Sequence, residues 1–240
     1  VYVEAGAFLD MYDVYVHDNN ATMHGGAVFA EDSIVVKNSV FTDNVAGVYG
    51  GALYINGTSS AVDDLDVSDS RFYNNTAMQG AAIFHENAAL IVDGSEFIDN
   101  KVVGKYNGEW ASGAILSTSR FDISNSKFYN NKAEYNGAAI YYYAYEAGDS
   151  SIVNTEFVDN VANNNYGAIY AYGARYDVSL SIEDSKFINN RANNSYGVIA
   201  FTGTDLTVIN TDFISNEASN YGAVYFYTYS DEGKLTVTDS

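Results

Sequence analysis

The sequence predicts an all-β chain: a right-handed, single-stranded parallel β-helix of about eight coils, with 25 to 31 residues per coil. Three observations carry that expectation. An aromatic residue followed three positions later by asparagine recurs along the whole chain, a small-small-apolar block recurs in step with it, and no stretch of helical periodicity lies between them.

The first repeat is anchored at Phe41/Asn44, Phe72/Asn75, Phe97/Asn100, Phe128/Asn131, Phe157/Asn160, Phe187/Asn190 and Phe213/Asn216, with a degenerate copy at Val16/Asn19. Ser or Thr stands two residues before each Phe (Ser39, Ser70, Ser95, Ser126, Thr155, Ser185, Thr211), usually preceded by Asn or Asp. Five and seven residues before the Phe the side chains are mostly apolar, as in Leu65/Val67, Phe121/Ile123, Leu180/Ile182 and Leu206/Val208. A period of two is that of a strand with one buried face. The second repeat comprises Gly25-Gly26-Ala27-Val28, Gly50-Gly51-Ala52-Leu53, Gly80-Ala81-Ala82-Ile83, Gly113-Ala114-Ile115, Gly137-Ala138-Ala139-Ile140, Gly167-Ala168-Ile169, Gly197-Val198-Ile199 and Gly222-Ala223-Val224, each opening another strand.

Phe-to-Phe spacings of 31, 25, 31, 29, 30 and 26 residues suit one solenoid coil with loops of variable length. Stacked coils place like residues in columns about 4.8 Å apart, so the phenylalanines are expected to stack and the asparagines to form a ladder that satisfies backbone groups at a bend. Right-handedness follows from the preference of parallel crossovers, and eight coils span roughly 38 Å of axis. The absence of proline suits a chain made almost wholly of hydrogen-bonded strands. Residues 1–240 are read as one domain. Val1 stands just ahead of a repeat already in progress, and 235–240 reads as the first strand of a ninth coil, so a longer parent protein is expected.

Composition narrows the function. A formal charge of -20 repels phosphate backbones and anionic headgroups, so neither nucleic acid nor a membrane surface is an expected partner. The chain has no cysteine, which removes disulfides and thiolate chemistry, and no apolar run long enough for a transmembrane helix. Asn210-Thr211-Asp212 matches a short motif of polygalacturonase-type hydrolases but occupies ordinary repeat positions, and His17, His24 and His85 lie far from it without metal-ligand spacing. Asp63, Asp64 and Asp66 form the densest carboxylate cluster, read as a solvated acidic turn rather than a Ca²⁺ site. No catalytic residue, metal or cofactor is therefore expected. The sequons at Asn20, Asn56, Asn74 and Asn193 are about as many as chance supplies.

The pairing of Gly-Gly-Ala-Ile-type blocks with Phe-x-x-Asn resembles the passenger domains of chlamydial polymorphic membrane proteins. The Asn-Ser-x-Phe-x-x-Asn-x-Ala phrasing is even more similar to adhesin-like surface proteins of methanogenic archaea. The resemblance covers essentially all 240 residues and implies a secreted protein attached to the cell surface through other segments and mediating adhesion.

Tyrosine is the residue that the repeat does not require. Alternation from Leu53, Ile140, Ile169 and Val224 puts Tyr54, Tyr141, Tyr143, Tyr170, Tyr172, Tyr225 and Tyr227 on the outer face of one sheet, an expected binding strip for a cell-surface glycan or a protein of another cell. The bland reading is that aromatics merely favour strands and pair across them. In the seventh coil Ala200 and Thr202 interrupt the strip, a gap that either admits a ligand between flanking rings or breaks a fortuitous pattern. A second candidate is Trp110, in an insertion within 101–112. The readings are an extracellular adhesin-like module, a non-binding stalk or wall component, and, least favoured, an enzyme acting on polysaccharide.

Overall fold

A computed structural model describes residues 1–57, 65–104, 113–173 and 175–240. All the regular structure in them is parallel strand, arranged as four sheets that wrap one axis, two of nine strands and two of eight. Each coil contributes one strand to each sheet. The first sheet holds the strands that open on the Gly blocks, such as Leu53–Asn56, Ile140–Tyr143 and Ile169–Tyr172, and the second holds the alternating strands, such as Leu65–Ser68 and Val178–Glu183. The third holds the three-residue strands around each Phe, such as Arg71–Tyr73, and the fourth two-residue strands such as Thr76–Ala77. Pairing is in register and spans 25 to 32 residues, as in Leu9↔Ile34 and Ile83↔Ile115. The β-helix expected from the repeat is thus present, with a fourth sheet that the repeat did not announce.

The phenylalanines form the expected column. Phe41, Phe72, Phe97, Phe128, Phe157 and Phe187 are fully buried, and Phe213 at the end of the row is half-buried. Consecutive rings lie 4.6 to 5.2 Å apart and within 9° of parallel. The coil repeat, near 4.8 Å, sets that spacing and overrides the tilted geometry that isolated aromatic pairs prefer. Leu65, Val67, Ile123, Leu180, Ile182, Leu206 and Val208 close the core from the second sheet. Val102, Ala133 and Ala162 of the fourth sheet pack into a second, smaller cluster with Ala81 and Ala138.

Two sharp bends flank each Phe, and both use left-handed backbone. At the first, Asn38, Asp69, Asn125, Asn154, Asp184 and Asn210 have φ of 45 to 50°; at the second, Asp43, Asn74, Asp99, Asn130, Asp159 and Asn189 have φ of 50 to 57°. Short amide and carboxylate side chains tolerate this region better than any other non-glycine residue. The Asn of Phe-x-x-Asn follows the second bend and forms a fully satisfied amide column. Asn75 Oδ1 accepts from Asn44 N and Nδ2, both at 3.1 Å, while Asn75 Nδ2 donates to Asn100 Oδ1 at 3.0 Å and to Phe41 O at 3.0 Å. The same pattern runs from Asn19 to Asn216. A hydroxyl column does equivalent work at the first bend: Ser70 Oγ accepts from Ser39 N at 3.1 Å and donates to Ser68 O at 2.8 Å. Thr211 belongs to this column, donating to Ile209 O at 2.9 Å and accepting from Ser185 N at 3.4 Å.

One inward column of the first sheet turns polar in mid-molecule: Ile55, His85, Ser117, Tyr142 and Ala171 stand in register. His85, Ser117 and Tyr142 are fully buried. His85 Nδ1 lies 3.5 Å from Ser117 Oγ, and its Nε2 has no hydrogen-bond partner. Burial holds the imidazole neutral and pushes its pKa down to about 3.

Two outcomes test this core. Phe128→Ala should destabilise the chain by about 3 to 5 kcal/mol through the cavity it opens in the stack, measured by denaturant unfolding. His85 has a folded pKa below its unfolded value of 6.5, so its stability contribution is complete above that value and is lost as pH falls. The wild type should lose about 2 kcal/mol between pH 7 and pH 5 relative to His85→Ile. An equal loss in both would show that His85 is not held neutral.

Candidate functional site

Three lines of tyrosine meet on the outside of the first sheet in coils five to eight. Tyr141, Tyr170 and Tyr225 occupy one outward register, with Ala200 between the last two; Tyr143, Tyr172 and Tyr227 occupy the next, with Thr202 in the same interruption. The expected outward placement is therefore found. These rings are half-buried rather than freely exposed, except Tyr227, because they pack on one another: Tyr141 and Tyr170 lie 4.8 Å apart and Tyr143 and Tyr172 5.0 Å.

The third line was not foreseen. Tyr166, Tyr196 and Tyr221 immediately precede the Gly blocks of coils six to eight and stack along the axis at 5.2 and 5.3 Å. Tyr166 and Tyr196 take the turn position held by Gly50 and Gly137 in earlier coils, and they keep its left-handed backbone, with φ of 64 and 65°. That region is strained for a bulky residue, and such strain is retained where surrounding contacts over-determine it. Here the contacts are aromatic: Tyr166 stacks on Tyr170 at 4.2 Å, and Tyr196 meets Tyr225 edge-on at 5.0 Å. The signal in the sequence was the recurrence of Tyr-Gly at 166–167, 196–197 and 221–222 in place of Gly-Gly or Gly-Ala.

The three lines enclose a notch of about 220 Å³ lined by Tyr166, Tyr170, Tyr172, Tyr196, Tyr225 and Tyr227, with Tyr229 at its rim and Ala200 and Thr202 as its floor. Tyr170 and Tyr225 stand two coils apart, about 10 Å, so the notch is the space of one missing ring in a stack of coil-spaced rings. No carboxylate lines it. Burial, reinforced by neighbouring phenols, pushes the Tyr166 hydroxyl up to about 12, and burial raises Tyr170 and Tyr225 as well. The notch therefore presents ring faces and neutral hydroxyls.

Tyr54 is corrected. It points outward as expected but is 6% exposed, because Phe29, Tyr49 and Phe84 pack around it, and its hydroxyl bonds Glu86 at 2.7 Å. The early coils thus carry a small outer core where a free strip was expected. Trp110, Asp63 and Asp64 lie outside the described residues; Asp66 is paired with Lys37 at 3.1 Å. Of the sequon asparagines, Asn20 and Asn193 are exposed, Asn56 accepts from Asn87 at 3.1 Å, and Asn74 donates to Asp43 across a bend. His24 stacks on Tyr49 at 4.8 Å, His17 bonds Asp18, and among the described residues no group of three acidic or histidine side chains is gathered for a metal.

The model of the Chlamydia polymorphic membrane protein repeat matches residues 38–56 and 125–143, each running from the Phe-x-x-Asn bend to the following Gly block. An Escherichia coli protein described as a probable autotransporter, YfaL, is 30% identical over 134 residues, 49% of this chain and 11% of its own length. The metabotropic glutamate receptor-like protein R of Dictyostelium discoideum is 30% identical over 142 residues, 57% of this chain and 8% of its own. The chain thus spans about a tenth of the length of these relatives. No solved structure matches it. The chain is a β-solenoid repeat protein whose coil is similar to those of the chlamydial repeat and of an autotransporter; the likeness to archaeal surface proteins rests on motif phrasing alone.

A tyrosine whose folded pKa is raised contributes stability that is complete below the unfolded value of 10.0 and is lost as pH rises through the folded value. Alkaline titration followed by tyrosinate absorbance and circular dichroism should show a late group of phenols that ionises only as β-structure is lost. The double variant Tyr166→Phe, Tyr170→Phe should shrink that late group; an unchanged amplitude would contradict the burial of these hydroxyls.

Proposed function

We propose that this chain is a segment of a surface-displayed or secreted repeat protein, in which the β-helix is a stiff scaffold presenting the tyrosine notch to a glycan or protein on another cell. The observation that carries the reading is the notch over Ala200. Strand propensity explains tyrosines in rows, but it does not explain two tyrosines kept in a left-handed turn so that their rings complete its wall. Tyrosine offers a large contact area with a polar tip at small entropic cost, which suits recognition. The likeness to an autotransporter and to the chlamydial repeat supports an extracellular setting for the segment. We take the module to be a binder rather than an enzyme, since phenols held protonated by burial, with no carboxylate or imidazole beside them, leave the notch without a general base at neutral pH.

The stalk reading is favoured by Tyr54, whose outward ring serves packing alone. One experiment separates the two. Beads coated with the chain are scored for adherence to a panel of bacterial and animal cells, beside beads carrying Tyr170→Ser, Tyr225→Ser. Binding by the wild type to at least one cell type, weakened about tenfold or more in a variant that keeps its circular dichroism, is the expected outcome; about tenfold corresponds to roughly 1.4 kcal/mol. Equal adherence of the two proteins, or none by the wild type, leaves the chain a stalk.

A further inference from the structure

The notch does not end at Thr202. The corner that follows it contains two residues, Gly203 and Thr204, before the next strand starts at Asp205. The corresponding corner before it, between Tyr172 and Val178, has five residues, and the one after it, between Tyr227 and Lys234, has six. A short corner thus lies between two long ones. The long corners wall a second cleft of about 360 Å³, bounded by Gly173, Arg175, Tyr176 and Asp177 on one side and by Tyr229 and Ser230 on the other, with Gly203 and Thr204 beneath. Both clefts lie over the seventh coil, and Tyr229 lines both.

Two independent features of the seventh coil coincide here: small outward side chains at Ala200 and Thr202, and the shortest of the three corners. Together they make a trench across the solenoid, along the direction of the seventh coil's strand. From Ala200 to Thr202 its floor follows the strand for roughly 7 Å, and the Gly203-Thr204 corner carries it on beyond the length of one sugar ring. The two halves differ in chemistry. The notch half is ring faces with a slot one ring thick, and the corner half is polar, with the Arg175 guanidinium, the Ser230 hydroxyl and a Thr204 hydroxyl that donates to Asp177 Oδ1 at 3.3 Å.

From these observations we infer that the trench binds a linear, neutral oligosaccharide, one ring held between Tyr170 and Tyr225 and the following rings hydrogen-bonded by the corner residues. Sugar rings suit both halves, because each presents an apolar face edged by hydroxyls. An aromatic side chain of a protein partner suits the notch alone. Neutrality follows from charge: Arg175 is matched by Asp177, Asp231 and Glu232 follow Ser230 directly, and the chain carries a net charge of -20. A uronate or sulfate chain laid in the trench meets a repulsive field. This inference rests on the notch being a binding site, and it adds the ligand class, its length and its direction.

The test starts with a glycan array bearing neutral and acidic linear glycans, probed with the chain, followed by calorimetry with dimer-to-hexamer series of cello- and chito-oligosaccharides. Binding to neutral glycans is expected, with affinity rising about tenfold or more from the dimer to the tetramer and then levelling as the trench fills. Ala200→Tyr restores the missing ring and should abolish binding at every length; Thr202→Tyr serves the same end if the first variant does not fold. Thr204→Phe blocks only the corner half and should hold every oligosaccharide to the affinity of the dimer. Affinity that does not depend on length, or that Thr204→Phe leaves unchanged while Ala200→Tyr abolishes it, overturns the trench and leaves the notch. Binding confined to acidic glycans overturns neutrality. No glycan binding, with cell adherence that Ala200→Tyr still abolishes, assigns the notch to a protein partner; adherence indifferent to Ala200→Tyr removes both the notch and the trench.

Discussion

Everything in this molecule hangs on one coincidence of lengths: hydrogen-bonded strands lie about 4.8 Å apart, and that is also a spacing at which identical side chains can satisfy one another. The asparagine column uses it most fully. Each amide oxygen accepts from the backbone and side chain of one neighbouring coil, and each amide nitrogen donates to the other neighbour and to a carbonyl beyond the bend. A buried amide is costly unless all its capacity is used. Here it is used only if every coil supplies the same residue at the same place, so the ladder enforces register along the axis as firmly as the phenylalanine stack fills the interior.

Alternating charge reinforces the same register on the outside of the third sheet. Arg71, Glu96, Lys127, Glu156 and Lys186 follow one another across coils, with Arg71 and Lys127 at 3.3 and 3.4 Å from Glu96 and Lys186 at 3.6 Å from Glu156. Exposed pairs of this kind stabilise weakly. Their effect is selective, since a strand displaced by one residue along its neighbour would bring Phe rings to solvent and leave the opposite charges without each other.

The core was legible because repetition multiplies a faint signal. One Phe-x-x-Asn means nothing, but seven in phase predicted the stacked rings, the amide ladder and the inward pairs such as Leu65 and Val67, all of which the structure contains. The fourth sheet escaped because two residues are too few to show a period, although the recurring Ala column was its trace. Tyr54 escaped for a different reason: alternation says which way a side chain points, not what lies above it, and Phe29 and Phe84 arrive from the neighbouring coils while Tyr49 reaches it from the preceding turn of its own coil. Tyr166 and Tyr196 were hidden by a rule of local chemistry. Positive φ is the habit of glycine and asparagine, so the turn was aligned on Gly167 and Gly197, one residue too late. A non-repeated function is written in departures from the repeat, where pattern recognition is weakest.

The corners between the first and second sheets take no part in the asparagine, hydroxyl or phenylalanine columns, so their lengths can change from coil to coil without disturbing the stack. The trench is defined only by contrast, a short corner between long ones. Duplication of the seventh coil, which the in-register ladders would accept on either side, would move the walls apart by one further strand spacing of about 4.8 Å while leaving each wall intact. In such an array the number of plain coils between two overhanging ones works as a gauge of aperture, and the breadth of what fits becomes a matter of counting repeats.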